Sequence, residues 1–125
     1  MILVDTSVWV DHFRHTEPRL VAALEEENVL THPFIIGELA CGNLRNRDEI
    51  FDLLKRLPVA PVATDREALQ LIDGHRLMGR GIGFIDVHLL ASTAISNTAR
   101  LWTKDHRLAE IASQLSLGYR ESASG

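Results

Sequence analysis

The chain has 125 residues, 46% hydrophobic and 24% charged, a globular mixture sized for one domain around a single core and not for a disordered segment. No apolar run approaches the ~20 residues that cross a bilayer. The opening Met1-Ile2-Leu3-Val4-Asp5 also lacks the basic flank and long apolar stretch of a secretion signal, so neither a membrane nor an export role is expected. The single Cys41 excludes an internal disulfide and fits a reducing cytoplasm, while the formal charge of −4 argues at first against a polyanionic ligand.

In chain order, Ile2–Val4 is apolar and β-branched enough for a buried strand, and residues 8–13 follow as a helix with Thr6 or Ser7 as its cap. Residues 17–27 form a second helix with Pro18 in its first turn, and residues 29–31 a short strand. Pro33 opens a helix reaching Ala40 and stopped near Gly42. Residues 47–57 make the next, with Ile50, Leu53, Leu54 and Leu57 at helical spacing. Residues 59–62 read as a third strand, which Pro61 pushes toward a sheet edge. Thr64 or Asp65 caps a helix to about Met78, and Gly79-Arg80-Gly81-Ile82-Gly83 is a connecting loop. Phe84–Ser96 is a strongly apolar helix, residues 100–103 a fourth strand and residues 105–115 the last helix. Residues 118–120 add a short final strand.

Strands alternating with helices predict an α/β fold, a three-layer α/β/α sandwich with a mainly parallel sheet of four to five strands. A single domain spans residues 1–121, and residues 122–125 are expected to fray.

Four acids stand among apolar residues, and the predicted topology brings them to one rim. Asp5 ends the first strand, and Asp105 lies just past the fourth. Glu38 and Asp86 each sit in the first or second turn of a helix. In open α/β sheets, ligands gather at the carboxyl ends of the strands, where the chain crosses into the next helix. Carboxylates clustered there repel one another unless a cation joins them, and oxygen-only ligands select Mg²⁺ or Mn²⁺ over zinc. Helix capping competes with this for Asp105. For Glu38 and Asp86, flanked by apolar residues inside their helices, capping is not expected. With the four acids set aside, 13 acidic residues balance 13 basic ones, eleven of which are arginine. A bound divalent ion then leaves that face neutral or positive.

Ile2-Leu3-Val4-Asp5-Thr6-Ser7, Ile36-Gly37-Glu38-Leu39, Gly83-Phe84-Ile85-Asp86 and Leu101-Trp102-Thr103-Lys104-Asp105 resemble the PIN-domain nucleases, and most of all their VapC toxin branch. The resemblance implies Mg²⁺-dependent endonucleolytic cleavage of RNA leaving a 5′-phosphate. It also implies a homodimer and a cognate VapB-type antitoxin that blocks the site. Asp5, Glu38, Asp86 and Asp105 become the catalytic set. Asp5 and Asp86 serve as direct metal ligands, Asp105 holds a second ion or an attached water, and Glu38 is a ligand or orients the water. Some relatives carry a further acid two residues past the fourth; this chain has Arg107 there, which puts a fully ligated second metal in doubt.

Thr6, Ser7 and Thr103 are supporting candidates whose hydroxyls steady carboxylates or a phosphate, against the plainer alternative of caps and a strand residue. Arg14, Arg76, Arg80, Lys104 and Arg107 are candidates for holding RNA phosphates, against solvated surface charge. The spaced glycines at 79, 81 and 83 follow a helix and not a strand, so they are no dinucleotide fingerprint. The histidines show no ligand spacing and are expected on the surface or in the core. Cys41, Trp9 and Phe13 are expected in the core, although the resemblance makes a dimer or antitoxin groove a competitor for the two aromatic residues. Haloacid-dehalogenase and receiver-domain sites fail for want of a second Asp at Ser7 and of an Asp near Val59-Ala60-Pro61. The remaining alternative is a non-catalytic PIN-like domain that binds RNA or a partner without cutting.

Overall fold

The computed structural model describes residues 1–120, so the expected frayed tail lies outside the described residues. Three strands, β1 (Ile2–Val4), β2 (Val29–Leu30) and β3 (Arg100–Trp102), form a parallel sheet in the order β2-β1-β3. Leu3 is the central register point, opposite Leu30 on one side and Leu101 on the other. Single parallel bridges, Thr31 to Val59 and Leu101 to Gly118, extend the sheet at both edges. The two predicted outer strands are thus reduced to one bridge each. Pro33 explains the first: after Thr31 N–H to Pro58 C=O and Ala60 N–H to Thr31 C=O, the next rung would need an N–H at residue 33, which proline lacks and where the chain turns into a helix.

Among the described residues seven helices flank the strands: α1 (Thr6–Arg14), α2 (Pro18–Glu25), α3 (Pro33–Ala40), α4 (Arg47–Arg56), α5 (Asp65–His75), α6 (Phe84–Ser96) and α7 (His106–Gln114). Parallel crossovers are right-handed, so the direction of each step across the sheet decides which face its helices cover. From β1 to β2 and on to Val59 the chain steps one way, which puts α1 to α4 on one face. From Val59 back to β3 and on to Gly118 it steps the other way, which puts α5 to α7 on the opposite face. The contacts of α1 with α3 and of α5 with α6 agree with this sandwich. The direction reverses between β1 and β3, and the crevice at their carboxyl ends is the place where such a sheet binds ligands.

The core fills the space between layers. Leu3, Val4, Trp9, Leu39, Leu89, Leu90, Leu101 and Ile111 are buried, and each such leucine contributes about 1.5–3 kcal/mol by leaving water. Capping sets the helix starts. The Thr64 hydroxyl accepts from Glu67 N–H while the Glu67 carboxylate accepts from Thr64 N–H, a reciprocal pair that satisfies two otherwise orphaned donors. At the other end α5 stops at His75, short of the predicted Met78. Arg76 adopts the left-handed conformation, with φ 53°, and its N–H closes on Ile72. Cys41, expected in the core, is exposed, because it follows the last residue of α3 and faces away from the sheet-packing side of Leu39. No helix among the described residues is long and apolar enough to cross a membrane.

Candidate active site at the carboxyl edge of the sheet

Asp5 leaves β1 as the residue before α1, yet its side chain makes no cap bond. Its carboxylate turns across the sheet instead. Oδ2 accepts from Ser7 Oγ at 2.8 Å and from Thr103 Oγ1 at 2.7 Å, and the two hydroxyls lie 3.2 Å apart. The backbone repeats the link, with Asp5 N–H donating to Trp102 C=O at 2.9 Å. At 6% exposure Asp5 is the buried member of the four acids, and its hydroxyl donors supply the hydrogen bonds that a buried charge requires.

Asp105 holds the corresponding place after β3 and behaves differently. It is exposed and caps α7, with Oδ1 accepting from Arg107 N–H at 2.9 Å and Leu108 N–H at 3.1 Å. Its own N–H donates to Thr103 Oγ1 at 3.1 Å, so Thr103 touches both aspartates. Asp86 lies in the first turn of α6 and accepts from Gly83 N–H through Oδ2 at 3.1 Å. This corrects the expectation that capping plays no part there. Glu38 is exposed on α3, not buried among its apolar neighbours, and its Oε1 accepts from Thr6 Oγ1 at 2.8 Å.

Asp86 feels the other three carboxylates. Burial raises the Asp86 pKa most; the Gly83 N–H opposes it, and the charges of Asp5, Asp105 and Glu38 raise it further. Each carboxylate also keeps one oxygen without a hydrogen bond among the described residues: Asp5 Oδ1, Glu38 Oε2, Asp86 Oδ1 and Asp105 Oδ2. Four hard oxygen donors with unused lone pairs fit Mg²⁺ or Mn²⁺. As they stand, no three acids, histidines or cysteines among the described residues are close enough to hold one ion. A cation would therefore have to draw side chains inward, and Glu38 and Asp105, being exposed, are free to move.

Thr6, Ser7 and Thr103 thus all bond a carboxylate of the group. The basic candidates divide. Lys104 is committed elsewhere: its ammonium bonds Asp11, and Glu17 at 3.1 Å, and the Asp11 bond is the main cause that holds its pKa above the usual lysine value. Arg80 donates to Gln114 Oε1 at 3.0 Å and pins the glycine loop to α7. Arg107 lies over the same loop. Gly81 has φ +83°, and a Cβ there would meet the Arg107 guanidinium at 2.7 Å, so only glycine allows this approach. Arg14 and Arg76 are exposed at the ends of α1 and α5.

Two contributors escaped the sequence reading. One is the Asp11–Lys104–Glu17 cluster, which ties α1 and the start of α2 to the chain beside Asp105. The other is buried His32, whose Nδ1 accepts from Phe34 N–H to cap the helix that carries Glu38, while Nε2 meets Ser92 Oγ at 3.1 Å. Burial, helped by His88, pushes the His32 pKa down to about 4, so the ring is neutral in this role. Its place directly before Pro33 was the available signal, since Pro at the first helical position marks the preceding residue as the cap.

The PIN domain family matches residues 2–114. Over 124 residues, 99% of this chain and 100% of the relative, the sequence is 44% identical to Ribonuclease VapC32 of Mycobacterium tuberculosis strain CDC 1551 / Oshkosh. The same values hold for Ribonuclease VapC32 of strain ATCC 25618 / H37Rv. The chain belongs to the PIN-domain family, in its VapC branch.

Proposed function

We propose that the chain is a metal-dependent endoribonuclease, the toxin of a VapBC-type toxin–antitoxin pair, acting through Asp5, Glu38, Asp86 and Asp105. One observation carries the proposal: at the switch point between β1 and β3 each of four carboxylates, three of which act on the charge of Asp86, has one oxygen anchored by the protein and one without a partner among the described residues. The full-length similarity to a ribonuclease supplies the substrate class.

Asp5, Asp86 and Asp105 would hold the ion, Mg²⁺ with Mn²⁺ as its substitute. When bound, it neutralises charge on the scissile phosphate and lowers the pKa of water. Ser7 and Thr103 hold Asp5 Oδ2 and leave Oδ1 as the oxygen available to an ion. Thr6 does the same for Glu38, which accepts a proton from the attacking water. Arg107, kept against Gly81 and two residues from Asp105, contacts the phosphate as the negative charge builds, joined by Arg14, Arg76 and Arg80 along the strand. Lys104, already paired twice, contributes mainly by holding α1 in place. A VapB-type antitoxin covers the site, the working form is a homodimer, and the compartment is the cytoplasm.

The purified chain is expected to cut single-stranded RNA with Mg²⁺ or Mn²⁺, stop on chelation with EDTA, and gain nothing from Zn²⁺. Cleavage that continues undiminished in EDTA overturns the metal mechanism. RNA that is bound but never cut, with either ion present, assigns the chain to the non-catalytic alternative.

A further inference from the structure

On the far side of β3 from β1, a cavity of about 550 Å³ opens between that strand, α7 and the closing segment of the described chain. Arg100 and Thr103 line it from the strand, Ala109 and Ser113 from α7, and Ser116 with Gly118 to Arg120 from the closing segment. None of these residues is one of the four acids, and apart from Thr103 none stood out in the sequence. Three features give the cavity a chemistry.

The first is continuity. Thr103 forms part of the cavity wall, and its hydroxyl bonds Asp5 Oδ2 at 2.7 Å. The cavity and the acid group thus share Thr103 as a common residue. The second is charge. Arg100 and Arg120 both line it, and among the described residues no acid does and neither arginine pairs with a carboxylate. In a chain of net charge −4 this is a local excess of cations beside an acidic crevice. The third is a ring. Tyr119 lines the cavity and is itself braced by Trp102, with ring centroids 5.2 Å apart. Serine hydroxyls at 113 and 116 add small polar groups to the wall.

The construction of the wall is specific. Leu101 N–H donates to Leu117 C=O at 2.7 Å, and Tyr119 N–H donates to Leu101 C=O at 2.8 Å, so the closing segment runs parallel to β3. Tyr119 and Arg120 consequently follow Gly118 toward the carboxyl end of β3, the end at which the acids lie. From Arg100 to Thr103 the strand rises about 10 Å, roughly three stacked nucleotide steps.

We propose that this cavity is a subsite for the single-stranded RNA that flanks the scissile bond, with a base stacked on Tyr119 and phosphates held by Arg100 and Arg120. A positively charged track with an aromatic platform is how proteins hold single strands without reading sequence, and the volume suits one nucleotide. The subsite rests on the nuclease reading above and extends it to residues outside the acids.

The test measures binding of a fluorescein-labelled, random-sequence RNA oligonucleotide to the full chain carrying Asp5→Asn, with Mg²⁺ present, across a series of salt concentrations. Arg100→Gln with Arg120→Gln is expected to weaken binding and to flatten the logarithmic salt dependence by about 1.4, or ~0.7 per phosphate contact on a single strand. Tyr119→Leu is expected to weaken binding roughly 5- to 100-fold, whereas Tyr119→Phe, which keeps the ring, binds as before. Thermal unfolding of each variant checks that the Trp102 packing survives.

An unchanged salt slope in the double variant, or equal losses in Tyr119→Leu and Tyr119→Phe, overturns the subsite. Cleavage by the unsubstituted chain is followed on the same RNA, so the two proposals fail separately. Cleavage with unchanged binding in the variants removes only the subsite. Binding lost in the variants without any cleavage by the parent keeps the subsite and removes the nuclease reading.

Discussion

Asp5 and Asp105 occupy comparable positions, each the residue immediately before a helix that follows a parallel strand, yet they are put to different use. Asp105 does what the local sequence asks of it: it accepts from the N–H groups of Arg107 and Leu108 and caps α7 in the open. Asp5 leaves the N–H groups of α1 uncapped and spends one oxygen on two hydroxyls, one of them 98 residues away. A carboxylate that gives up a cap bond to be buried at 6% exposure is being held for something other than helix stability. Thr103 sits between them, donating to Asp5 and accepting from the backbone of Asp105, and so couples the two ends of the sheet crevice.

The largest effect that tests this comparison is catalytic. Asp5→Asn keeps the volume and removes the charge, and RNA cleavage in Mg²⁺ should fall by about a thousandfold or more, since several kcal/mol of transition-state stabilisation pass through such a ligand. Retained activity in both Asp5→Asn and Asp86→Asn would remove the carboxylates from the mechanism. Thr103→Val comes next. With the hydroxyl lost but the shape kept, Asp5 loses one of its two anchors, and cleavage should drop about 10- to 100-fold with little change in RNA affinity. A Thr103→Val protein as active as its parent would show that the orientation of Asp5 does not depend on this bond.

Stability separates the two aspartates more finely. Asp105→Ala should cost about 1 kcal/mol in a denaturant melt and Asp105→Ser only a fraction of that, because serine restores an oxygen to the cap. Both should lose cleavage alike, since neither restores the carboxylate. Equal stability of the alanine and serine variants would show that the cap bond contributes nothing.

The smallest effect is a pH dependence at Asp86. Burial and the three neighbouring acids raise its pKa above 3.8, so the folded chain binds the proton more tightly than the unfolded chain does. Stability attributable to this group is full below pH 3.8 and is lost as pH rises through the folded pKa. Asp86→Asn should therefore melt slightly higher than its parent at neutral pH, and the gap should close toward pH 3.8. A gap of the same size at both pH values would place its origin outside the carboxylate.

Much of the frame was legible because it follows from local pattern. Apolar spacing and flanking Pro or Gly delimit Pro33–Ala40 and Phe84–Ser96 at the residues observed, and apolar β-branched Ile2–Val4 could only be a buried strand. The same pattern put each of the four acids at a strand end or in an early helical turn, and the crossover rule carried them to one edge. Where sequence reading misjudged surroundings, the reason was geometric. Glu38 has apolar neighbours along the chain but lies on the exposed side of α3, and Cys41 follows that helix into solvent. Neighbours in sequence are not neighbours on a helix face.

The sequence by itself determined the element types, the parallel sheet and the residues with chemistry to offer, since these depend on periodicity, caps and side-chain type. Tertiary structure alone decided which oxygen of each carboxylate is held and which is spare. It also decided that Lys104 is tied to Asp11 and Glu17, that Gly81 makes room for Arg107, and that Arg100, Tyr119 and Arg120 share a cavity with Thr103. Those pairings join residues far apart along the chain. They exist because the register sets Leu3 opposite Leu101, and Leu101 beside Gly118, to within a single residue. A slip of one residue would turn every side chain of the strand to the other face, and no local pattern encodes that alignment.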